Sequence, residues 1–75
     1  MLFLIEYDRS RGEIVNFREF DVNQSDLAEQ SRLEMELDLN RRGIEREVVL
    51  LEAANEEALR RTHRRYFEDL VQLVS

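Results

Sequence analysis

His63 is the only histidine in the 75-residue chain, which also has no cysteine. A metal site built on it would need a second donor at i+3 or i+4, or an H-E-x-x-H pattern, and neither surrounds it. Without a thiol there is no disulfide framework, Cys-ligated zinc, iron–sulfur cluster or thiol nucleophile. As a general base, His63 would need a nucleophile or water within ~3 Å and a second group orienting its ring. Thr62, Tyr66 and the nearby acids have the right chemistry, but no spacing selects them. At ~100° per residue, His63 shares a helical arc with Leu59, Tyr66, Leu70 and Leu73, which reads as a packed side chain. No catalytic residue, cofactor or metal ligand is therefore expected. The competing expectation is a small ligand-binding or enzymatic domain with its pocket near His63.

Arg60, Arg61, Arg64 and Arg65 are the second group whose type could do chemistry. On one side of a helix they would form a cationic strip able to contact an anion or an acidic partner surface. The sequence also supplies acids one turn away: Glu56 before Arg60, Glu57 before Arg61, Glu68 after Arg64 and Asp69 after Arg65. Such i,i+4 pairs compensate the strip within its own helix. Nucleic-acid binding normally carries a net basic footprint, whereas this chain has net charge −6 and pI ≈ 4.7, so nucleic acid is not the expected partner.

The acidity is concentrated in the middle. Residues 21–54 hold nine acids against four arginines, while residues 55–75 hold four of each. All eleven cations are Arg, which reads as the compositional bias of a GC-rich bacterial coding sequence. The start Leu2-Phe3-Leu4-Ile5 is broken by Glu6 and follows no basic region, so it does not read as a signal peptide. No apolar run reaches the ~18–20 residues of a membrane span, and a cytoplasmic protein is expected. At roughly 0.05–0.15 kcal/mol per residue, one domain of this size is worth only about 4–11 kcal/mol.

The elements that must position these residues follow from periodicity and punctuation. Residues 2–7 and 13–20 are β-rich and flank Asp8-Arg9-Ser10-Arg11-Gly12, a hairpin loop in which Gly12 supplies positive φ and Asp8 bonds the turn backbone. Asn23, with Asp26 three residues on, reads as a helix cap, and a helix is predicted from Gln24 to Arg42, ended by a left-handed Gly43. Residues 44–53 read as a third strand buried on both faces. Asn55 is predicted to cap a last helix running to about Val74. The order is ββαβα in one domain. Apolar residues on both faces of the first strand suit a central position, so the predicted fold is α+β: a two-layer arrangement with a three-stranded antiparallel sheet in the order 2-1-3 and both helices on one face.

That arrangement leaves apolar surface without cover. By alternation, Leu2, Leu4, Val48 and Leu50 share one sheet face with Ile14 and Phe20, while Phe3, Ile5 and Tyr7 share the other with Val15, Phe17, Val49 and Leu51. Two helices on one face cannot cover both. On the middle helix, Leu27, Ala28, Ser31, Met35 and Leu39 form one stripe, and Leu33 and Leu37 form another. The second stripe needs either the last helix or a partner. The expected interaction surface is therefore Leu2, Leu4, Leu33, Leu37, Val48 and Leu50. The expected function is a small non-catalytic protein-interaction module, a homodimer, or a regulator or inhibitor that occupies another protein.

Overall fold

The computed structural model describes residues 1–67. Strand β1 (Leu2–Asp8) and strand β2 (Glu13–Phe20) form the hairpin. Its loop is built as the residue types require. Asp8 Oδ1 accepts from the Ser10 amide at 3.0 Å, the Ser10 hydroxyl at 2.7 Å and the Arg11 amide at 3.2 Å, and Gly12 adopts φ 66°. Helix α1 (Ser25–Arg42) is entered through a 3-10 turn at Val22–Gln24. Asp21, rather than Asn23, opens this turn: its amide donates to Gln24 Oε1 at 3.0 Å, and the Gln24 amide donates to the Asp21 carbonyl at 2.9 Å. At the far end Gly43 has φ 67°. The amides of Gly43 and Ile44 donate back to Asn40 and Leu39, a left-handed cap that satisfies carbonyls the helix leaves open.

Strand β3 (Glu47–Glu52) pairs antiparallel with β1, giving the predicted α+β sheet in the order β2-β1-β3. It is shorter than predicted, and its apolar run is half-buried, because one side of an edge strand lacks a neighbour. Helix α2 (Glu56–Thr62) is capped by Asn55, whose Oδ1 accepts from the Ala58 amide at 2.8 Å. It ends far short of Val74. His63 leaves helical geometry at φ −124°, ψ 54°, and a 3-10 turn follows at Arg64–Tyr66. The break leaves the Arg65 carbonyl to accept from the Tyr7 hydroxyl at 3.4 Å, and it seats the Tyr66 ring edge-on to Tyr7 at 5.1 Å. Leu70, Leu73 and Val74 lie outside the described residues.

The largest departure from expectation concerns the layers. Phe3, Ile5 and Tyr7 pack with Leu59 and Tyr66, so α2 and its 3-10 turn cover that face. Leu4, on the opposite face by strand alternation, packs with Phe20 and with Ala28 of α1, and Leu2, Met35, Val48 and Leu50 surround them. The helices thus lie on opposite faces, and the chain forms three layers rather than two. Every residue of β1 from Phe3 to Asp8 is buried as a result. A β-bulge also redistributes β2. Glu6 pairs with Asn16 but Tyr7 pairs with Ile14, so Val15 is an extra residue. That single insertion reverses the parity, placing Ile14 with Phe17 on the α2 face and leaving Val15 exposed.

Candidate functional site

The predicted interaction residues now fall into two groups. Leu4 is fully buried, and Leu2, Val48 and Leu50 are half-buried beside it under α1. The bare sheet face that motivated their selection is covered by the chain itself. Leu33 and Leu37 are 52% and 51% exposed. Around the α1 wheel they stand about 140–180° from Ala28 and Met35, on the side away from the sheet. Among the described residues the last helix does not cover them, because α2 lies across the sheet. Leu27, expected in the sheet-facing stripe, is also exposed and sits at its margin.

Several charges elsewhere on α1 are paired within the helix. Arg32 bridges Glu29 at 2.8 Å and Glu36 at 3.1 Å, and its guanidinium is held more firmly protonated than usual by hydrogen bonding to Glu29 and the charge of both acids. Arg42 pairs with Asp38 at 3.0 Å, and Gln30 donates to Glu34 at 3.2 Å. These pairs flank the outward leucines.

The arginine strip is divided by the break after Thr62. Arg60 pairs with Glu56 at 3.0 Å and stacks over Phe67 at 4.5 Å, while Arg61 pairs with Glu57 at 3.8 Å. These are the predicted helical partners. The expected pairings of Arg64 with Glu68 and of Arg65 with Asp69 involve acids outside the described residues. Arg65 turns to the sheet, where it grips Glu47 of β3 at 2.8 Å and lies over the Tyr66 ring at 4.3 Å. Arg9, from the hairpin loop, reaches the same carboxylate at 2.8 Å. Burial alone would raise the Glu47 carboxyl, but hydrogen bonds from Tyr66, Arg65 and Arg9 outweigh it and hold the group below its ordinary range. For Tyr66 the same burial and the bond to Glu47 raise the phenol.

No family model, curated protein or solved structure matches the chain. The site must therefore be judged on its own chemistry.

A cleft of about 670 Å³ lies on the α1 side, lined by Asp8, Glu36, Leu39, Ile44, Glu45 and Arg46 among others. Asp8, which lines it, and Glu6 are both buried. Asn16 donates to Glu6 at 2.8 Å, and Arg46 stands 3.6 Å from both carboxylates, its Nε buried without a hydrogen bond. Hydrogen bonding from Ser10 leads the effects that depress the Asp8 carboxyl, so it is ionised at neutral pH and has no proton to donate. Its Oδ1 is occupied by the hairpin loop. These carboxylates hold the hairpin and the β3 entrance together rather than presenting a free acid–base pair. Sequence reasoning missed this group. The available signal was Glu6 and Asp8 alternating along a strand expected to be central, where burial requires partners. His63 is half-buried, and its amide donates to the Leu59 carbonyl at 2.9 Å. It stands apart from the cleft on the α1 side. Among the described residues no three Asp, Glu or His side chains converge to hold a metal ion.

Proposed function

We propose that this chain is a small, non-catalytic protein-interaction module that associates through the outer face of α1, with a second copy of itself as the partner. The observation that carries the reading is the exposed pair Leu33/Leu37, one helical turn apart, on a helix whose opposite side is already committed to the sheet. Single exposed apolar residues need no explanation, but two adjacent leucines at the centre of an outward face form a hydrophobic contact site. The lack of a free acid–base pair in the α1 cleft, and the position of His63 away from it, support a binding role over a catalytic one. The acidic residues along the same helix would suit a basic surface on another protein, the form that a regulator or inhibitor would take.

No described helix is long and apolar enough to cross a membrane, and the proposed setting is the cytoplasm. Multi-angle light scattering tests the association directly. The wild type should approach about 18 kDa, twice the 9.0 kDa chain, and Leu33→Glu/Leu37→Glu should remain near one chain mass with unchanged circular dichroism. A wild type that stays at one chain mass up to about 1 mM, or a double variant that still dimerises, would contradict the reading.

A further inference from the structure

We infer that the two copies pair with their α1 helices antiparallel, around a two-fold axis that passes between the helices at the level midway between Leu33 and Leu37. This register rests on the self-association proposed above. The outward face follows the series Asp26, Gln30, Leu33, Leu37, Asn40, whose spacing alternates four and three residues, the pattern of a helix-pairing seam. All five side chains are exposed.

The charges select the direction. Of the other charges of α1, five are held in pairs within the helix, Glu29–Arg32–Glu36 and Asp38–Arg42, and Glu34 accepts from Gln30. Asp26 and Arg41 are exposed and make no ion pair or hydrogen bond among the described residues, and they stand at opposite ends of the leucine pair. An antiparallel pair sets Leu33 against Leu37 of the second copy and Gln30 against its Asn40, whose amides can bond one another. Arg41 then lies about 4.5 Å along the axis from the second copy's Asp26, at ~1.5 Å per residue, well within reach of a guanidinium. Parallel pairing would instead place Asp26 against Asp26 and Arg41 against Arg41, repelling at both ends. Two leucines per chain make a small seam. The dimer should therefore be reversible, and it should be followed over roughly 10 μM to 1 mM.

The chain has no cysteine, so introduced thiols report without background. Under mild oxidation, a mixture of Leu33→Cys and Leu37→Cys chains should give the mixed disulfide in clear excess over either chain cross-linked to itself. Self-linked Leu33→Cys and Leu37→Cys dimers, or no mixed cross-link between the two variants although the wild type dimerises, would overturn the register while leaving the association intact. A wild type that is monomeric throughout would overturn both. Charge exchange gives an independent readout that does not alter the leucines. Asp26→Arg and Arg41→Asp should each weaken association about three- to tenfold, and the double exchange should restore it. Both exchanges oppose the helix dipole, so an effect on helix stability alone would leave the double variant worse than either single one. That outcome would also overturn the register.

Discussion

Truncating Leu4 to alanine distinguishes a sheet covered on both faces from one covered on a single face. Leu4 occupies the middle of the central strand opposite Leu50, is fully buried, and packs with Phe20 and Ala28. The change removes three carbons, worth about 2.4 kcal/mol at ~0.8 kcal/mol per buried carbon. A cavity term is added, because the rigid strand and the short Ala28 side chain can close only part of the gap. The expected cost is about 3–4 kcal/mol, inside the range of roughly 2.7–5.0 measured for buried leucines. Leu59→Ala, its counterpart in the α2 layer and also fully buried, should cost a similar amount. Leu33→Ala, on the outer face of α1, should cost less than about 0.5 kcal/mol when the chain is monomeric.

Urea unfolding followed by far-ultraviolet circular dichroism at about 5 μM chain keeps self-association out of the comparison. With a slope near 1 kcal/mol per molar, the Leu4→Ala midpoint should fall by about 3 M. Total stability is only about 4–11 kcal/mol, so that loss can unfold the chain outright; Leu4→Val, costing about 1 kcal/mol, then supplies the slope. A Leu4→Ala cost under about 1 kcal/mol beside a Leu59→Ala cost of about 3 would refute the three-layer assignment, because it would mean that α1 does not cover this face.

Gly43→Ala should cost about 1 kcal/mol by the same assay: a Cβ there meets nothing within 4 Å, so the penalty is the left-handed backbone alone. Asn55→Ala should cost about 1 kcal/mol and raise amide exchange within α2, a helix too short to persist without its cap and the Leu59 anchor. Asp8 and Glu47 are held below their ordinary values of 3.8 and 4.5. Their contribution is complete above about pH 5 and is lost as pH falls through the lower folded values, so Asp8→Asn and Glu47→Gln should each flatten the acid limb of stability against pH. An acid limb identical to wild type in both variants would contradict the hydrogen bonding described for these carboxylates.

The features legible in the sequence are those decided locally. Gly12 and Gly43 were readable because few residues tolerate the backbone they adopt, and both have positive φ. Asn55 was readable because a cap needs a short acceptor three residues before the amide it serves. The central place of β1 followed from apolar residues on both its faces. That pattern stated a demand for cover but did not say which element would supply it. The expectation that both helices share a face follows from the ββαβα order and a right-handed crossover, with a last helix running to about Val74. The chain ends its second helix at Thr62 and folds a 3-10 turn beneath Tyr7 instead. Nor does strict alternation survive an inserted residue. Ile14 and Phe17 are three apart and point the same way only because Val15 bulges out between them.

Charge partners divide along the same line. The pairs Glu56–Arg60 and Glu57–Arg61 form as their spacing requires, because one helical turn fixes the geometry of both members. Arg65 pairs across 18 residues with Glu47, and Arg9 reaches that carboxylate across 38. Neither partner follows from periodicity, since the contact exists only where the hairpin loop, the start of β3 and the turn after α2 meet at one corner of the sheet. Once β1 and β3 are known to pair with Tyr7 opposite Glu47, however, the contact becomes derivable. Tyr7 points to the α2 side, so Glu47 points there too, and a half-buried carboxylate on that side requires cations. The arginines that looked like a binding strip are thus partly structural. On the outer face of α1, by contrast, Leu33 and Leu37 lack cover and Asp26 and Arg41 lack partners among the described residues.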